Sequence, residues 1–246
     1  MKKLNTLFLI LTLSTGCSQE IVSSKYAESI NSNDLEDLLS VYSSDGFEGR
    51  QTGTKGDRTA ANFLRDFYIS NKIGPALNTI DYFQPYQLNL PGKMYTFNYS
   101  FPSTLRGYDR YAQGDNFVDT QNVASVIEGE IYPESYLIIT GHLDHVGING
   151  DEVYNGADDN GSGTVSILEI AQAFQEAVED GVRPKRSVVF LHVSGEEEGL
   201  LGSEYYVNNS LYPLENTFAT LNLDMIGRTD PNRGYEDEEY ISVSYT

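Results

Sequence analysis

Cysteine is nearly absent from this 246-residue chain: there is one, Cys17. A single thiol forms no internal disulfide, so the fold has to stand on its packed core. Tryptophan is missing altogether, and histidine occurs three times, as His142, His145 and His192. Any chemistry that needs imidazole therefore has few places to go. Basic residues are also scarce, 16 Lys and Arg against 36 Asp and Glu, for a formal charge of −20. Such a surface repels phosphate backbones and argues against nucleic acid as a partner. No apolar run is long enough to span a bilayer, since the longest, Leu4 to Leu13, covers ten residues.

Hydrophobic residues make up 39% of the chain and aromatics 12%, the composition of a globular domain with a real core. After residue 130 short apolar runs alternate with acidic loops. The runs "SYLIITG" (135–141), "RSVVFLHVSG" (186–195) and "FATLNLDMIG" (218–227) have the continuous β-branched and aromatic character of strands buried on both faces. Between the first two, "GTVSILEIAQAFQEAV" (163–178) reads as a helix, and a short one is expected over about 200–208. Earlier, "DLEDLLSVY" and the 56–74 stretch carry apolar residues at helical spacing, with Ala60, Phe63, Leu64, Phe67 and Tyr68 on one stripe. Residues 80–125 read as strands and loops. Alternating strands and helices imply an α/β three-layer sandwich on a mostly parallel mixed sheet, with ligand sites beyond the carboxyl ends of the strands.

Chemistry-bearing residues follow each buried run. "GHLDHVG" brings His142, Asp144 and His145; "NGADDNGSG" brings Asp158 and Asp159; "SGEEEG" brings Glu196, Glu197 and Glu198; "LDM" brings Asp224. Carboxylates gathered at one sheet edge repel one another unless a cation holds them. Imidazole plus carboxylate suits zinc first, cobalt or manganese next.

These segments, together with "FEGRQTGTKGDRTAANFL", resemble in order and spacing the M28 family of zinc aminopeptidases over about residues 47–228. The resemblance implies a metal-activated water that hydrolyses N-terminal residues from peptides. It implies His142 and Asp224 as ligands of a first zinc, Asp159 as a bridge, Glu197 as ligand of a second zinc and Glu196 as general base. Asp144 would orient His142 through its other ring nitrogen, and the Asp159–Asn160 peptide bond would be cis. It also implies a histidine for the second zinc from far beyond Asp224. None of the three histidines stands there, because all of them precede Asp224, and the sequence runs to Thr246. The last strands and helices of the sandwich and part of the second zinc's ligand set are thus expected to be missing from residues 34–246. A single-zinc glutaminyl-cyclase-like acyltransferase and a catalytically inactive metal-binding lipoprotein fragment are the competing readings.

Other residues have plainer expectations. His192, inside an apolar strand, reads as a core histidine with a hydrogen-bond partner. His145 is either a residue beside the site or an ordinary loop histidine. Asp158 is expected to shape its loop, and Glu198 to face solvent. "EGRQTGTKG" (48–56) is expected to pack beside the site, and "YEDEEY" (235–240) to be a solvated loop. The N-terminus, "MKKLNTLFLILTLSTGC", resembles a bacterial lipoprotein signal over residues 1–17, with lipid attached to Cys17 and a polar tether over 18–33. Ser14 departs from the leucine usual three residues before such a cysteine, and Ser18 resembles outer-membrane sorting. The implied location is the cell envelope, with a membrane held through the lipid and peptides as substrates.

Overall fold

The structure, a computed structural model, describes residues 25–89, 96–97 and 117–229. Cys17 and its signal, the acidic 235–240 run and the final "YISVSYT" lie outside the described residues. Helix α1 (Ser32–Tyr42) starts inside the stretch expected as tether, because Asn31 caps it: its side-chain oxygen accepts from the Asn33 and Asp34 amides. Helix α2 (Lys55–Ser70) buries Ala60, Ala61, Leu64 and Tyr68 along one stripe. Helix α3 (Gly163–Glu179) and the short α4 (Leu201–Asn208) occupy the expected places.

One sheet organises these helices. Its strands are β1 (Gly74–Pro75), β2 (Phe83–Asn89), β3 (Thr96–Phe97), β4 (Phe117–Ile127), β5 (Tyr132–His142), β8 (Arg186–Val193) and β9 (Thr217–Asn222), in the order β3-β2-β4-β8-β5-β9 with β1 beside β4. A small hairpin, β6 (Gly147–Asn149) with β7 (Glu152–Tyr154), stands apart. The sheet is mixed. β8, β5 and β9 run parallel, whereas β4 joins β8 antiparallel and β2 joins β4 antiparallel. The parallel register is confined to the half that carries the acidic loops.

Both faces of the sheet are covered, which makes the sandwich three layers deep. Side chains of β8 alternate between the two cores. Val188 and Phe190 join Leu64, Tyr68, Ile167 and Leu168 under α2 and α3. Val189, Leu191 and Val193 join Tyr206, Leu211 and Tyr212 on the other side. Each such side chain, fully withdrawn from water, contributes about 1.5–3 kcal/mol. His192 follows the same alternation. It is fully buried, its Nε2 lies 2.7 Å from the Tyr68 hydroxyl, and burial pushes its pKa down to about 3. It is the core histidine that its apolar flanks imply. Among the described residues no helix is long and apolar enough to cross a membrane.

Candidate metal centre

Parallel packing of three strands sets the site. In register, His142 of β5 pairs with Val193 of β8, and Thr140 pairs with Asn222 of β9. The chain therefore leaves all three strands at one edge, with His142, the Ser194–Glu198 loop and Asp224 side by side. A fourth contribution comes from the Ala157–Ser162 turn that leads into α3. Within that turn the Asp159–Asn160 peptide bond is cis, as the resemblance implies. Asn160 ties the turn to the end of β9: its Nδ2 donates to the Leu223 carbonyl at 2.8 Å, and its Oδ1 accepts from the Gly163 and Met225 amides. Asp158 shapes the same turn, accepting from the Gly227 amide at 2.9 Å and pairing with Arg228 at 2.7 Å.

Two groups of donors result, and they share a residue. His142, Asp159 and Asp224 form one; His145, Asp159 and Glu197 form the other; in each the donor atoms lie within 4.8 Å of one another. In the first group, His142 Nε2 is 3.1 Å from Asp159 Oδ1 and 3.6 Å from Asp224 Oδ1. Donors at 2.0–2.1 Å from a tetrahedral zinc stand roughly 3.3 Å apart, so these spacings fit such an ion. One nitrogen with two carboxylate oxygens is also a donor set that zinc accepts. Asp159 and Asp224 keep their side chains about one-third exposed, open to solvent and substrate.

The adjacent glutamates diverge. Glu196 Oε2 approaches His142 Nε2 at 4.0 Å, beside the first group, whereas Glu197 Oε1 lies 2.6 Å from His145 Nδ1 in the second. Burial raises the Glu196 pKa; His142 opposes the rise, and the carboxylates of Asp144, Asp224 and Glu197 add to it. For His142 burial disfavours the charged form. The surrounding carboxylates, Asp144 foremost and then Asp224 and Glu196, outweigh it and raise the pKa to about 9. Glu198, expected in solvent, is partly buried.

Asp144 supports the site by a different set of bonds from the one implied. His142 Nδ1 is 3.1 Å from the Asp144 backbone carbonyl, while the nearest carboxylate oxygen stands at 3.7 Å, too far for a hydrogen bond. The fully buried carboxylate instead accepts from Thr52 Oγ1 at 3.0 Å and from the Glu196 amide at 3.2 Å, with the Glu197 amide at 3.4 Å. It holds the backbone that carries both glutamates.

Arg50 is the main residue that motif reading passed over. It is fully buried, with its guanidinium 4.6 Å from the Tyr42 ring. Nε donates to the Leu143 carbonyl at 3.0 Å, Nη1 to Asn155 at 2.7 Å and Nη2 to Gly156 at 2.9 Å. One side chain thus joins the His142–His145 loop to the turn that carries Asp159. The only signal in the sequence is its place in "EGRQTGTKG", a stretch otherwise dominated by glycines and threonines. In the same stretch Thr52 bonds Asp144, and the Gly53 amide donates to Asp57, the residue after the stretch, which also accepts from Thr120 and Ser194, so the segment does pack beside the site.

Comparisons with known proteins bear on the family and the fold. A leupeptin-inactivating enzyme of Streptomyces exfoliatus is 42% identical over 118 residues, which is 46% of this chain and 24% of that protein. The chain spans about a quarter of the length of the curated relatives it matches first, among them a probable zinc metalloprotease of Pyricularia oryzae. In fold, a Zn-dependent exopeptidase of Parabacteroides distasonis matches with TM-score 0.57 at 16% identity, covering 81% of this chain and 63% of that one. A glutaminyl cyclase of Porphyromonas gingivalis matches with TM-score 0.54 at 18% identity, covering 81% and 61%. The profile of peptidase family M28 aligns with residues 122–244, the half of the sequence that holds His142, Asp159, Glu196, Glu197 and Asp224, and the chain belongs to that family.

Proposed function

We propose that this chain carries the catalytic centre of a zinc-dependent aminopeptidase that removes N-terminal residues from peptides. The observation that carries this reading is the pair of donor groups joined through Asp159, with Glu196 standing beside the first. His142, Asp159 and Asp224 would hold one zinc; Asp159 and Glu197 would hold a second. Zinc bound there supplies a Lewis acid that lowers the pKa of water and polarises the scissile carbonyl.

The chain's own residues do the rest. Glu196, raised in pKa by burial and by neighbouring carboxylates, takes a proton from the attacking water and returns it to the departing amine. Asp144 keeps the Glu196 amide in place, so the base does not swing away. The free α-amino cation of a peptide is attracted to the surplus of carboxylates at this edge, which favours exopeptidase over endopeptidase action. The N-terminal "MKKLNTLFLILTLSTGC" supports export and attachment to the cell envelope through lipid on Cys17.

Hydrolysis of aminoacyl-nitroanilides tests the reading. Activity is expected that falls on chelation and returns with zinc, with a free amino acid released. Pyroglutamate formation, with one metal bound by His142, Asp159 and Asp224 alone, would instead support the acyltransferase. Metal uptake without turnover of either substrate would leave a binding domain.

A further inference from the structure

His145 has no part in the reaction above, yet it sits against a residue that does. Its Nδ1 lies 2.6 Å from Glu197 Oε1. The two could both be ligands of one metal, or one could hold the other. The distances decide between these roles. Ligands around a tetrahedral zinc stand roughly 3.3 Å apart, as the 3.1 and 3.6 Å spacings of the first group do. At 2.6 Å the His145–Glu197 pair is at hydrogen-bond distance, short because the acceptor is a carboxylate.

The imidazole is also fixed from its own side. Its side chain is 14% exposed. The His145 amide donates to the Arg50 carbonyl at 3.3 Å, which anchors the loop beneath it. Gly156, with φ +52°, faces the ring, and a Cβ at that position would strike both the His145 ring and the Asp159 carbonyl oxygen. The turn that presents Asp159 is therefore packed directly on His145. Glu197, by contrast, has a long flexible side chain on a loop, and its amide reaches Asp144 only at 3.4 Å.

We propose that His145 is a positioning residue for the second metal: its Nδ1–H holds one oxygen of Glu197, so that the carboxylate is presented to the metal in one orientation. The proposal rests on the dinuclear reading of the site. Hydrogen-bonded partners of metal-ligating carboxylates commonly act in this way, and their loss typically weakens metal binding by about 10–100-fold.

The test is a cobalt(II) titration of the full chain, followed by visible absorption, for wild type, H145A and H145N. Asparagine places an amide N–H near the position of Nδ1 but removes the ring. Wild type is expected to take up two equivalents, the second less tightly than the first, since among the described residues only Asp159 and Glu197 are assigned to it. H145A should bind the first as wild type does and the second about 10–100-fold more weakly, and H145N should recover most of that loss. An unchanged second affinity in H145A would overturn the proposal, and so would equal loss in H145A and H145N, which would make the imidazole itself a ligand. Uptake of one equivalent by wild type would remove the dinuclear reading and the proposal with it; two equivalents in wild type with no effect of H145A would remove the proposal alone. NMR of the histidine rings in metal-free wild type needs no variant: His145 is expected to carry its proton on Nδ1, and a ring protonated at Nε2 alone would contradict the assignment.

Discussion

The two donor groups share Asp159 but are supported differently. His142 of the first projects from the end of a central strand, is 3% exposed and is held by hydrogen bonds at either side: Nδ1 toward the Asp144 carbonyl, and its own carbonyl accepting from Thr164 Oγ1 at 2.8 Å. The second is built on two loops, with Glu197 and His145 bonded chiefly to each other. The first group inherits its geometry from the sheet; the second depends on a few side-chain contacts. In such a centre the sheet-built position should keep its metal through perturbations that empty the loop-built one.

The neighbouring glutamates provide the sharpest contrast between the groups. E196Q should lower kcat by about 10²–10⁴-fold, the usual size of a general-base contribution, with both metals retained. E197Q should instead lose the second metal first. Metal counts and nitroanilide kinetics on the same preparations separate these outcomes, and equal metal loss in both variants would erase the assigned difference.

Arg50 is common to both groups, so its removal should blur the comparison. R50M leaves the Leu143, Asn155 and Gly156 carbonyls without their charged donor. Hydrogen bonds to charged groups contribute about 1.5–3 kcal/mol each, and R50M should cost about 3 kcal/mol or more in urea unfolding of the metal-free chain. A loss below about 0.5 kcal/mol, the scatter of ordinary surface changes, would show that the loops hold themselves.

Asp57 lies behind the glutamate loop, accepting from Gly53, Thr120 and Ser194, and burial raises its pKa to about 7. A folded-state pKa above the unfolded value means that the native chain binds more protons between the two. This contribution to stability is complete below about pH 4, the ordinary carboxylate range, and is lost as the pH rises through 7. D57N should flatten that decline in metal-free unfolding measured across pH 4–8. A slope equal to wild type would assign the decline to other groups.

The smallest effect belongs to the histidine outside both groups. Y68F removes the hydroxyl that meets His192 Nε2, and should cost about 1 kcal/mol with no change in metal uptake. A shift in either metal affinity would mean that the core histidine communicates with the site after all.

What could be read from the sequence follows the range of the contacts involved. Helix α3 and strand β8 were legible because their apolar pattern is local, and His192 was legible because the residues flanking it are apolar. His142, Asp159, Glu196, Glu197 and Asp224 could be grouped from the sequence because four of them follow buried runs that end at one sheet edge, with Asp159 in the turn that enters α3, and because of the family resemblance. The antiparallel pairing of β2 and β4 was not, since strand direction depends on partners far along the chain. Arg50 and His145 were missed or left open for the same reason. Arg50 meets carbonyls 93 to 106 residues away, and His145 meets a carboxylate 52 residues away. Neither contact leaves a periodic trace. Asp144 was read as important but with the wrong atoms: the side chain braces the Glu196 loop, and its backbone carbonyl faces His142.

Shared use of Asp159 is the claim on which the rest depends, and cobalt titration of D159N beside D224N addresses it most directly. D224N should lose the first equivalent and keep the second, whereas D159N should lose both. Retention of either equivalent at wild-type affinity in D159N would contradict the shared site.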